Sequence, residues 1–187
     1  IDKMCDLYLH IAPLHIAPGL KSGLNIRCDD AREVGADRIV NCVSAIVGYS
    51  DGNPMIVVDF GTATTFNVIS ENNEFIGGVI APGIKGSLES LVSGTAKLPR
   101  VEIEAPDSII AKNTVTNMQA GIVFGFAGLV EYIVKRIKKE LKTQDVKTVA
   151  TGGFSTIISK EIEGIDVVDK LLTLKGLKYL YDLNMKA

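Results

Sequence analysis

The chain has 187 residues, a formal net charge of -2, 22% charged residues and 47% hydrophobic residues. This length fits one domain or two small ones, and the apolar fraction provides ample material for a core. The balanced charge argues against a basic nucleic-acid-binding surface and against a disordered acidic tail, so we predict no nucleic-acid partner.

Cysteine and histidine content predicts a reduced protein without a structural metal. The three cysteines are an odd number without a CxxC pair, which argues against a disulfide framework and favours the cytoplasm. His10 and His15 lie in an echoed HIAP stretch, and their separation is not that of a helical zinc pair. We therefore predict no metal site at these histidines.

Neither the start of the chain nor its most apolar segment indicates targeting or membrane insertion. The first residues lack the basic region, apolar stretch and cleavage site of a signal peptide. Because residue 1 is Ile1 rather than Met, we expect the chain to be a fragment or a processed product. The apolar run Ala120–Val134 contains Glu131 and is shorter than the roughly 20 residues that cross a bilayer. We predict that this run is a buried helix and that the protein has no membrane partner.

The first half of the chain predicts a helix followed by an antiparallel meander. Residues 1–28 are punctuated by proline and glycine and are predicted to form short strands and loops. A helix is predicted from about Ala31 to Val47, because Asp30 offers an N-cap oxygen and Glu33 completes the spacing of a capping box. Three strands are predicted next, at Met55–Val58, Thr64–Ile69 and Glu74–Ile76.

The second half of the chain alternates helices and strands. Gly77-Gly78 is predicted to separate the third strand from another short apolar run, and a helix is predicted over Ile84–Val92. The longest helical signal, Asn113–Leu141, ends in basic residues, which the carboxyl end of a helix prefers. The remaining elements are a strand at Val146–Ala150, a helix near Ser155–Ile162, a strand at Val167-Val168 and a helix from about Leu177. This alternation after a meander indicates a mixed α/β fold.

A strand that ends in a carboxylate and turns through glycine and threonine is the strongest candidate for a phosphate site. In the run VVDFGTATT, Gly61 permits close backbone approach, and the hydroxyls of Thr62 and its neighbours can donate to phosphate oxygens. Asp59 at the strand tip can hold a cation against those phosphates. The alternative is an ordinary hairpin whose threonines reflect strand propensity.

The GADR segment, residues 35–38, places a carboxylate beside a guanidinium within the predicted helix. Asp37 could accept the proton of a substrate hydroxyl. Arg38 could bind a substrate carboxylate through its fork of donors. The alternative is a solvated Asp–Arg pair on the surface of a helix.

Three weaker features each have a functional and a purely structural interpretation. Gly152 and Gly153 lie between a strand and a helix, where they suit either a nucleotide or a tight turn. Thr114 lies at the head of the long helix and is either part of an N-cap or a substrate contact. Gly121 and Gly125 have the spacing that permits close helix contact, within the core or across a dimer.

Taken in order, these segments resemble the type III pantothenate kinases. The resemblance covers essentially the whole chain, and GADR followed by DFGTATT is its most specific part. The matching stretches are PGLKSGLNIR, REVGADRIVNCVSA, IVVDFGTATTFNVI, FIGGVIAPGI, the Thr114 region, VATGGFS and LTLKGLKYLYDLN.

The resemblance implies an α/β fold of the actin-like ATPase kind, with duplicated ribonuclease H-like domains, in the superfamily of acetate kinase, Hsp70 and actin. The first domain is expected to be incomplete. Residues 1–50 would be the C-terminal part of that domain, on the substrate side. Residues 51–187 would be the second domain, on the phosphate and adenosine side.

The family also implies an activity and a set of site residues. Its members are cytoplasmic homodimers that use ATP and Mg²⁺, with K⁺ or NH₄⁺, to convert pantothenate to 4'-phosphopantothenate in the first step of coenzyme A biosynthesis. By motif, Asp37 matches the proton acceptor and Asp59 the monovalent-cation ligand. The pantothenate-binding residues implied are Gly35, Ala36, Asp37, Arg38 and Thr114. The ATP-binding residues implied are Gly61, Thr62, Gly152 and Gly153.

Two departures from the family pattern qualify these expectations. The family begins with a strand that ends in a D-x-G-N-T phosphate loop, which this sequence lacks, so we expect the chain alone to have little or no kinase activity. Cys28 stands where the family usually has a tyrosine that contacts pantothenate, which leaves substrate affinity and, to a lesser degree, substrate identity open. The alternatives are an inactive regulatory or binding homologue of the same fold and another small-molecule kinase of the superfamily.

Overall fold

The computed structural model describes residues 2–17 and 20–185. Pro18 and Gly19, which begin the PGLKSGLNIR stretch, lie outside the described residues. The helices are α1 (Asp2–Met4), α2 (Ala36–Tyr49), α3 (Ile84–Ser93), α4 (Thr114–Leu141), α5 (Ser155–Ile158) and α6 (Leu172–Met185). The strands are β1 (Asn25–Ile26), β2 (Met55–Phe60), β3 (Ala63–Ile69), β4 (Glu74–Pro82), β5 (Lys147–Gly152) and β6 (Val167–Val168). Among the described residues, no helix has the length and apolar character needed to cross a membrane.

The six strands form one mixed sheet in the order β1-β4-β3-β2-β5-β6. β3 runs antiparallel to both β2 and β4, whereas β1 is parallel to β4 and β5 is parallel to β2 and β6. β3 is thus the one strand of this sheet that runs antiparallel to the other five, which is the ribonuclease H-like arrangement. This topology confirms the predicted α/β fold class.

Helices cover both faces of the sheet because the central strand β2 is apolar on both sides. Ile56, Val58 and Phe60 pack with residues of α3, α4 and α5. Met55 and Val57 point the other way, as the period of two in a strand requires, and pack with α2 and α6. The predicted buried strand is therefore confirmed, and the domain boundary near residue 50 stays a prediction.

Helix α2 begins later than the sequence predicts. Asp30 does act as a cap, but it accepts the Arg32 N–H (2.9 Å) at the start of a separate 3₁₀ turn, Ala31–Glu33. Val34 is then extended and buried, and Gly35 becomes the N-cap of α2. The prediction of one helix from about Ala31 was wrong, because the buried Val34 breaks it. As a result, Asp37 lies in the first turn of α2 rather than in its middle.

Strand β4 is longer than predicted, since it continues through Gly77-Gly78 to Pro82. A Cβ on Gly78 would collide with the carbonyl oxygen of Phe66 on the neighbouring strand. The glycine is therefore needed for close strand pairing and does not end the strand. The prediction of a separate apolar run after these glycines was wrong.

The two ends of the chain also differ from the sequence-based prediction. Residues 2–9, predicted as strands and loops, form the short helix α1 followed by a π-helical turn at Cys5–Leu9. Helix α6 begins at Leu172, five residues before the predicted Leu177. Leu172 is fully buried in the core on the α2 side of the sheet, so burial of this side chain extends the helix toward its start.

Helices α2 and α6 are in close contact along the sheet. At Gly176 an added Cβ would collide with the Val40 carbonyl, so the two backbones touch there. At the end of α2, the Tyr49 hydroxyl and the Lys175 ammonium both donate to the buried Asp169 carboxylate, each at 2.7 Å. These contacts fix α6 against α2.

The Asp169 cluster makes the stability of this helix pair dependent on pH. Burial raises the pKa of the Asp169 carboxyl, but hydrogen bonds from Lys175, Tyr49 and a backbone N–H outweigh that effect. The pKa is held below its ordinary value of 3.8, so this stabilisation is complete at neutral pH and is lost as the pH falls below 3.8.

Replacing Asp169 by Asn removes charge-assisted hydrogen bonds and is expected to lower the free energy of unfolding at pH 7. The loss should be only about 1 kcal/mol, because solvent around the exposed Lys175 ammonium screens the ion pair. The difference between wild type and D169N should shrink as the pH falls from 3.8 through the lowered pKa of the folded state, since the wild-type carboxyl becomes protonated over that range. Urea unfolding at several pH values measures this. Glu89→Gln, in the exposed Lys85–Glu89 pair, is the control and should change little. A difference that does not depend on pH would contradict the assignment.

Candidate active site

The hairpin between β2 and β3 forms one wall of the candidate site. The Gly61 N–H donates to the Ala63 carbonyl (3.1 Å), which closes a two-residue turn with Thr62 exposed at its tip. The Thr64 hydroxyl donates to the Pro82 carbonyl (3.1 Å) and is buried. Of the threonines predicted to bind phosphate, Thr62 is therefore the one that faces solvent at the turn.

The Asp59 carboxylate lies half-buried behind this turn. Its Oδ2 accepts a hydrogen bond from the Asn41 amide (2.8 Å), and its Oδ1 lies toward the glycine turns, 2.5 Å from where a Cβ of Gly152 would stand. Burial raises the pKa of the Asp59 carboxyl above its ordinary value; the Asn41 hydrogen bond opposes this, and the nearby charge of Asp37 adds to it. A cation beside Oδ1 would stabilise the ionised carboxylate and so oppose the two effects, burial and the charge of Asp37, that raise its pKa.

The Asp37 carboxylate comes from the first turn of α2, close enough to Asp59 for their charges to repel. Its Oδ1 lies 2.6 Å from the position of a Gly35 Cβ, so the glycine leaves room for the carboxylate to fold back over the helix N-terminus. Asp37 is exposed. Asp37 also lies one helical turn before Asn41, whose amide donates to Asp59, so α2 places the predicted base on the same side of the sheet as the predicted cation ligand.

The Arg38 side chain is directed onto the sheet. Its Nε donates to the Asn67 amide oxygen on β3 (2.6 Å), and its guanidinium carbon lies 5.2 Å from the centre of the Phe75 ring. These contacts are a hydrogen bond and a cation–π interaction that hold the half-buried guanidinium over the sheet. The alternative of a solvated Asp–Arg pair is therefore wrong for Arg38.

The Gly152 turn reaches the same edge of the sheet because β5 is parallel to β2. Gly152 is paired with Phe60, has a φ of +93°, and its carbonyl accepts the Ser155 hydroxyl (2.7 Å) at the start of α5. Gly153 is exposed, and a Cβ there would meet no atom within 4 Å. The carboxyl ends of parallel strands are where α/β sheets bind ligands.

Thr114 lies elsewhere in the chain. It is the exposed first residue of α4, just after Asn113, whose side chain accepts the Thr116 N–H (3.0 Å) and is the N-cap. Thr114 borders a cavity of about 440 Å³ between α3 and α4, and α4 covers the face of the sheet opposite to α2. The other residues lining that cavity are Leu91, Leu98, Asn117, Met118, Gly121 and Ile122.

Sequence reasoning missed two polar residues that contact the site through tertiary structure. Asn41, which is 1% exposed, bridges to Asp59, and Thr173 donates to Asn41 (2.7 Å). One signal was available, since an asparagine one turn after Asp37 on the apolar face of a helix is a buried polar residue that requires a partner. Nothing local identifies Thr173.

The donor set suits a divalent cation that is shared with a nucleotide. Within residues 2–17 and 20–185, no group of three or more His, Cys, Asp and Glu side chains could hold a metal ion by itself. Mg²⁺ is usually bound by one or two carboxylates together with substrate phosphates. Asp59, with an oxygen directed toward the exposed turns and a neighbouring carboxylate on Asp37, fits that requirement.

A sequence model described as type III pantothenate kinase matches residues 1–136. The chain belongs to the type III pantothenate kinase family. The fold is similar to that of a conserved protein from Campylobacter jejuni described as a proposed Baf family transcriptional activator, with a TM-score of 0.61 and 22% identity. That similarity covers 97% of this chain and 89% of the other, and it supports the fold assignment.

A second similarity, to the activator of the 2-hydroxyisocaproyl-CoA dehydratase from Clostridium difficile with bound ADPNP, has a TM-score of 0.37 and 11% identity. It covers 79% of this chain and 68% of that one. This value is too low to define a shared fold.

Cys28, where type III pantothenate kinases usually have tyrosine, is half-buried against the core on the α2 side of the sheet. It lies near Cys42, whose thiol pKa burial raises to about 12, with a smaller contribution from Cys28 itself. All three cysteines are free thiols. This kinase family member therefore has a thiol, not a phenol, at a position beside the GADR helix.

Proposed function

We propose that this family member transfers the γ-phosphoryl group of ATP to the primary hydroxyl of pantothenate, giving 4'-phosphopantothenate. The observation that carries the proposal is that α2 links the two carboxylates: Asp37 lies in its first turn, and Asn41, one turn later, donates to Asp59 (2.8 Å) beside the two glycine turns. Phosphoryl transfer depends mainly on positioning and on neutralising charge, and these residues supply both.

Asp37 acts as the base that accepts the proton of the pantothenate hydroxyl. It is exposed at the start of α2, so a bound hydroxyl can reach it without displacing the core. Gly35 and Ala36 line the approach to it, and Arg38 is held beside it over the sheet. A positioned base of this kind contributes roughly 10²–10⁴-fold to the rate.

Asp59, Gly61 and Thr62 form the phosphate side of the site, and Gly152 and Gly153 the adenosine side. Asp59 would hold a cation, Mg²⁺ with the nucleotide or the K⁺ or NH₄⁺ that the family uses. When bound, such a cation neutralises negative charge on the phosphate oxygens. Thr62 offers an exposed hydroxyl at the same turn, and Gly61, which has no side chain, lets a phosphate approach the backbone closely.

The outer face of α4 supports a homodimer. Gly121, Gly125 and Gly128 are exposed, and an added Cβ at any of them would meet no atom within 4 Å. Their spacing therefore does not serve packing within the chain, which was the alternative interpretation. A second copy on this face would cover the cavity that Thr114 and Gly121 border, and pantothenate bound near such an interface could contact Thr114.

The test is an assay of the protein in its full-length form with ATP, Mg²⁺ and pantothenate, with 4'-phosphopantothenate detected by mass spectrometry. Product should form in K⁺ or NH₄⁺ and be much reduced in Na⁺. ADPNP binding without any product would instead support the inactive binding homologue, which the cysteine at position 28 favours. Absence of both product and ADPNP binding would overturn the proposal.

A further inference from the structure

Three side chains from distant parts of the sequence form a chain of hydrogen bonds that ends at the candidate site. The Thr173 hydroxyl on α6 donates to the amide oxygen of Asn41 on α2 (2.7 Å). The Asn41 amide nitrogen donates to the Asp59 carboxylate at the end of β2 (2.8 Å). Asn41 is 1% exposed, so both ends of its amide are satisfied by protein groups.

We propose that Thr173 is a positioning residue for phosphoryl transfer: its hydroxyl fixes the Asn41 amide so that the amide nitrogen faces Asp59. This inference rests on the proposed function, since it concerns the residue assigned to the phosphate side. Among the described residues, Thr173 makes no hydrogen bond to Thr62 or to Asp37. It therefore acts on the site through its hydrogen bond to Asn41.

Donor and acceptor requirements admit only one orientation of the amide. An ionised carboxylate only accepts hydrogen bonds, so Asn41 has to present its NH₂ group to Asp59. The amide oxygen then points to α6, where it needs a donor, and the Thr173 hydroxyl is that donor. With the amide reversed, its oxygen would face the carboxylate oxygens and repel them. The carboxylate therefore sets the orientation of the amide, and the Thr173 hydroxyl holds the amide in it by satisfying the amide oxygen.

The position of Thr173 is fixed by the contact between the helices. Gly176 lies one turn further along α6, where an added Cβ would collide with the Val40 carbonyl. The Asp169–Lys175–Tyr49 hydrogen bonds fasten the start of α6 to the end of α2. The hydroxyl thus has little freedom to move away from Asn41. Thr173 lies beyond residues 1–136, the part that the family sequence model matches.

The test compares Thr173→Val, which keeps the shape and removes the hydroxyl, with Thr173→Ser, which keeps the hydroxyl, in the full-length protein. We expect T173V to lower kcat about tenfold, the equivalent of one hydrogen bond to a charged group, with a small change in KM for pantothenate. T173S should restore most of the rate. Leu174→Ala, an exposed neighbour on α6, is the matched control and should behave as wild type.

A second readout does not depend on turnover. In ¹⁵N spectra, the side-chain NH₂ resonances of Asn41, assigned by their absence in Asn41→Leu, should shift in T173V and return in T173S. ADPNP binding, measured by calorimetry with Mg²⁺ and K⁺, should weaken several-fold in T173V only. If T173V does not fold, Thr173→Cys replaces it, because a thiol is a similar-sized but weak donor.

The outcomes separate this inference from the proposed function. Wild-type kinetics and an unmoved Asn41 resonance in T173V would overturn the positioning role. Equal impairment of T173V and T173S, together with a lower Tm in both, would overturn it in favour of simple packing. If the wild-type protein makes no product, the proposed function fails, while the Asn41 resonance and ADPNP binding still decide whether Thr173 orients the amide.

Discussion

Replacing Asp37 by Asn is expected to lower kcat by a factor of about 10²–10⁴, the usual contribution of a positioned general base. An amide has almost the same shape as the carboxylate but cannot accept the substrate proton. Because Asp37 is exposed at the helix start, the substitution should leave the fold unchanged. Phosphorylation of pantothenate, followed in steady state, and ADPNP affinity, measured by calorimetry, are the two readouts.

Nucleotide affinity should be kept or slightly improved in D37N. The negative charge of Asp37 raises the pKa of the Asp59 carboxyl. Removing that charge in D37N stabilises the ionised form of Asp59. Asp29→Asn, an exposed carboxylate just before the GADR helix, is the matched control and should change neither readout. Turnover in D37N close to that of the wild type would contradict the assignment of Asp37 as the base.

The two glycines of the TGG turn are expected to respond very differently to alanine. Gly152→Ala forces a side chain into a backbone with φ of +93°, and its Cβ would lie 2.5 Å from Asp59 Oδ1 and 2.7 Å from the Phe60 backbone. Backbone strain of this kind costs of order 1–3 kcal/mol, and the collision adds to it. We therefore expect a clearly lower Tm and at least a tenfold loss of ADPNP affinity.

Gly153→Ala is the control that the chain itself supplies. Its Cβ would meet no atom within 4 Å, and the residue is exposed, so both Tm and ADPNP affinity should stay near the wild-type values. Thermal unfolding and calorimetry on the pair of variants measure the difference. Equal Tm and ADPNP affinity in the two alanine variants would show that the Gly152 turn does not lie in tight contact with Asp59.

Much of the sheet could be predicted because its strands carry a local signal. The run Met55–Val58 is apolar on both faces, which is typical of a central strand, and the structure buries it completely. The errors occurred where a glycine or a capping residue was compatible with two different local structures. Gly77-Gly78 was predicted to end a strand, but close pairing with Phe66 requires a glycine at position 78, and Asp30 caps a single 3₁₀ turn rather than α2.

The candidate site was predictable in part for the same reason. Asp37 and Asp59 belong to short motifs whose residue types indicate their chemistry, and the Asn41–Asp59 hydrogen bond joins the helix that carries Asp37 to the strand that carries Asp59. Asn41 and Thr173 could not be paired from sequence, because 132 residues separate them and their hydrogen bond exists only once α6 packs on α2. Local periodicity carries no information about such a contact.

The packing of α6 against α2 has a consequence for the order in which the site is assembled during synthesis. Translation proceeds from the amino end, so the motifs at residues 35–62 leave the ribosome long before Leu172–Met185. Until that segment emerges, the amide oxygen of Asn41 lacks the Thr173 hydroxyl, and the face of α2 at the Val40 carbonyl is open to water. A nascent chain therefore already carries its chemically active groups but acquires their final alignment only when α6 is released.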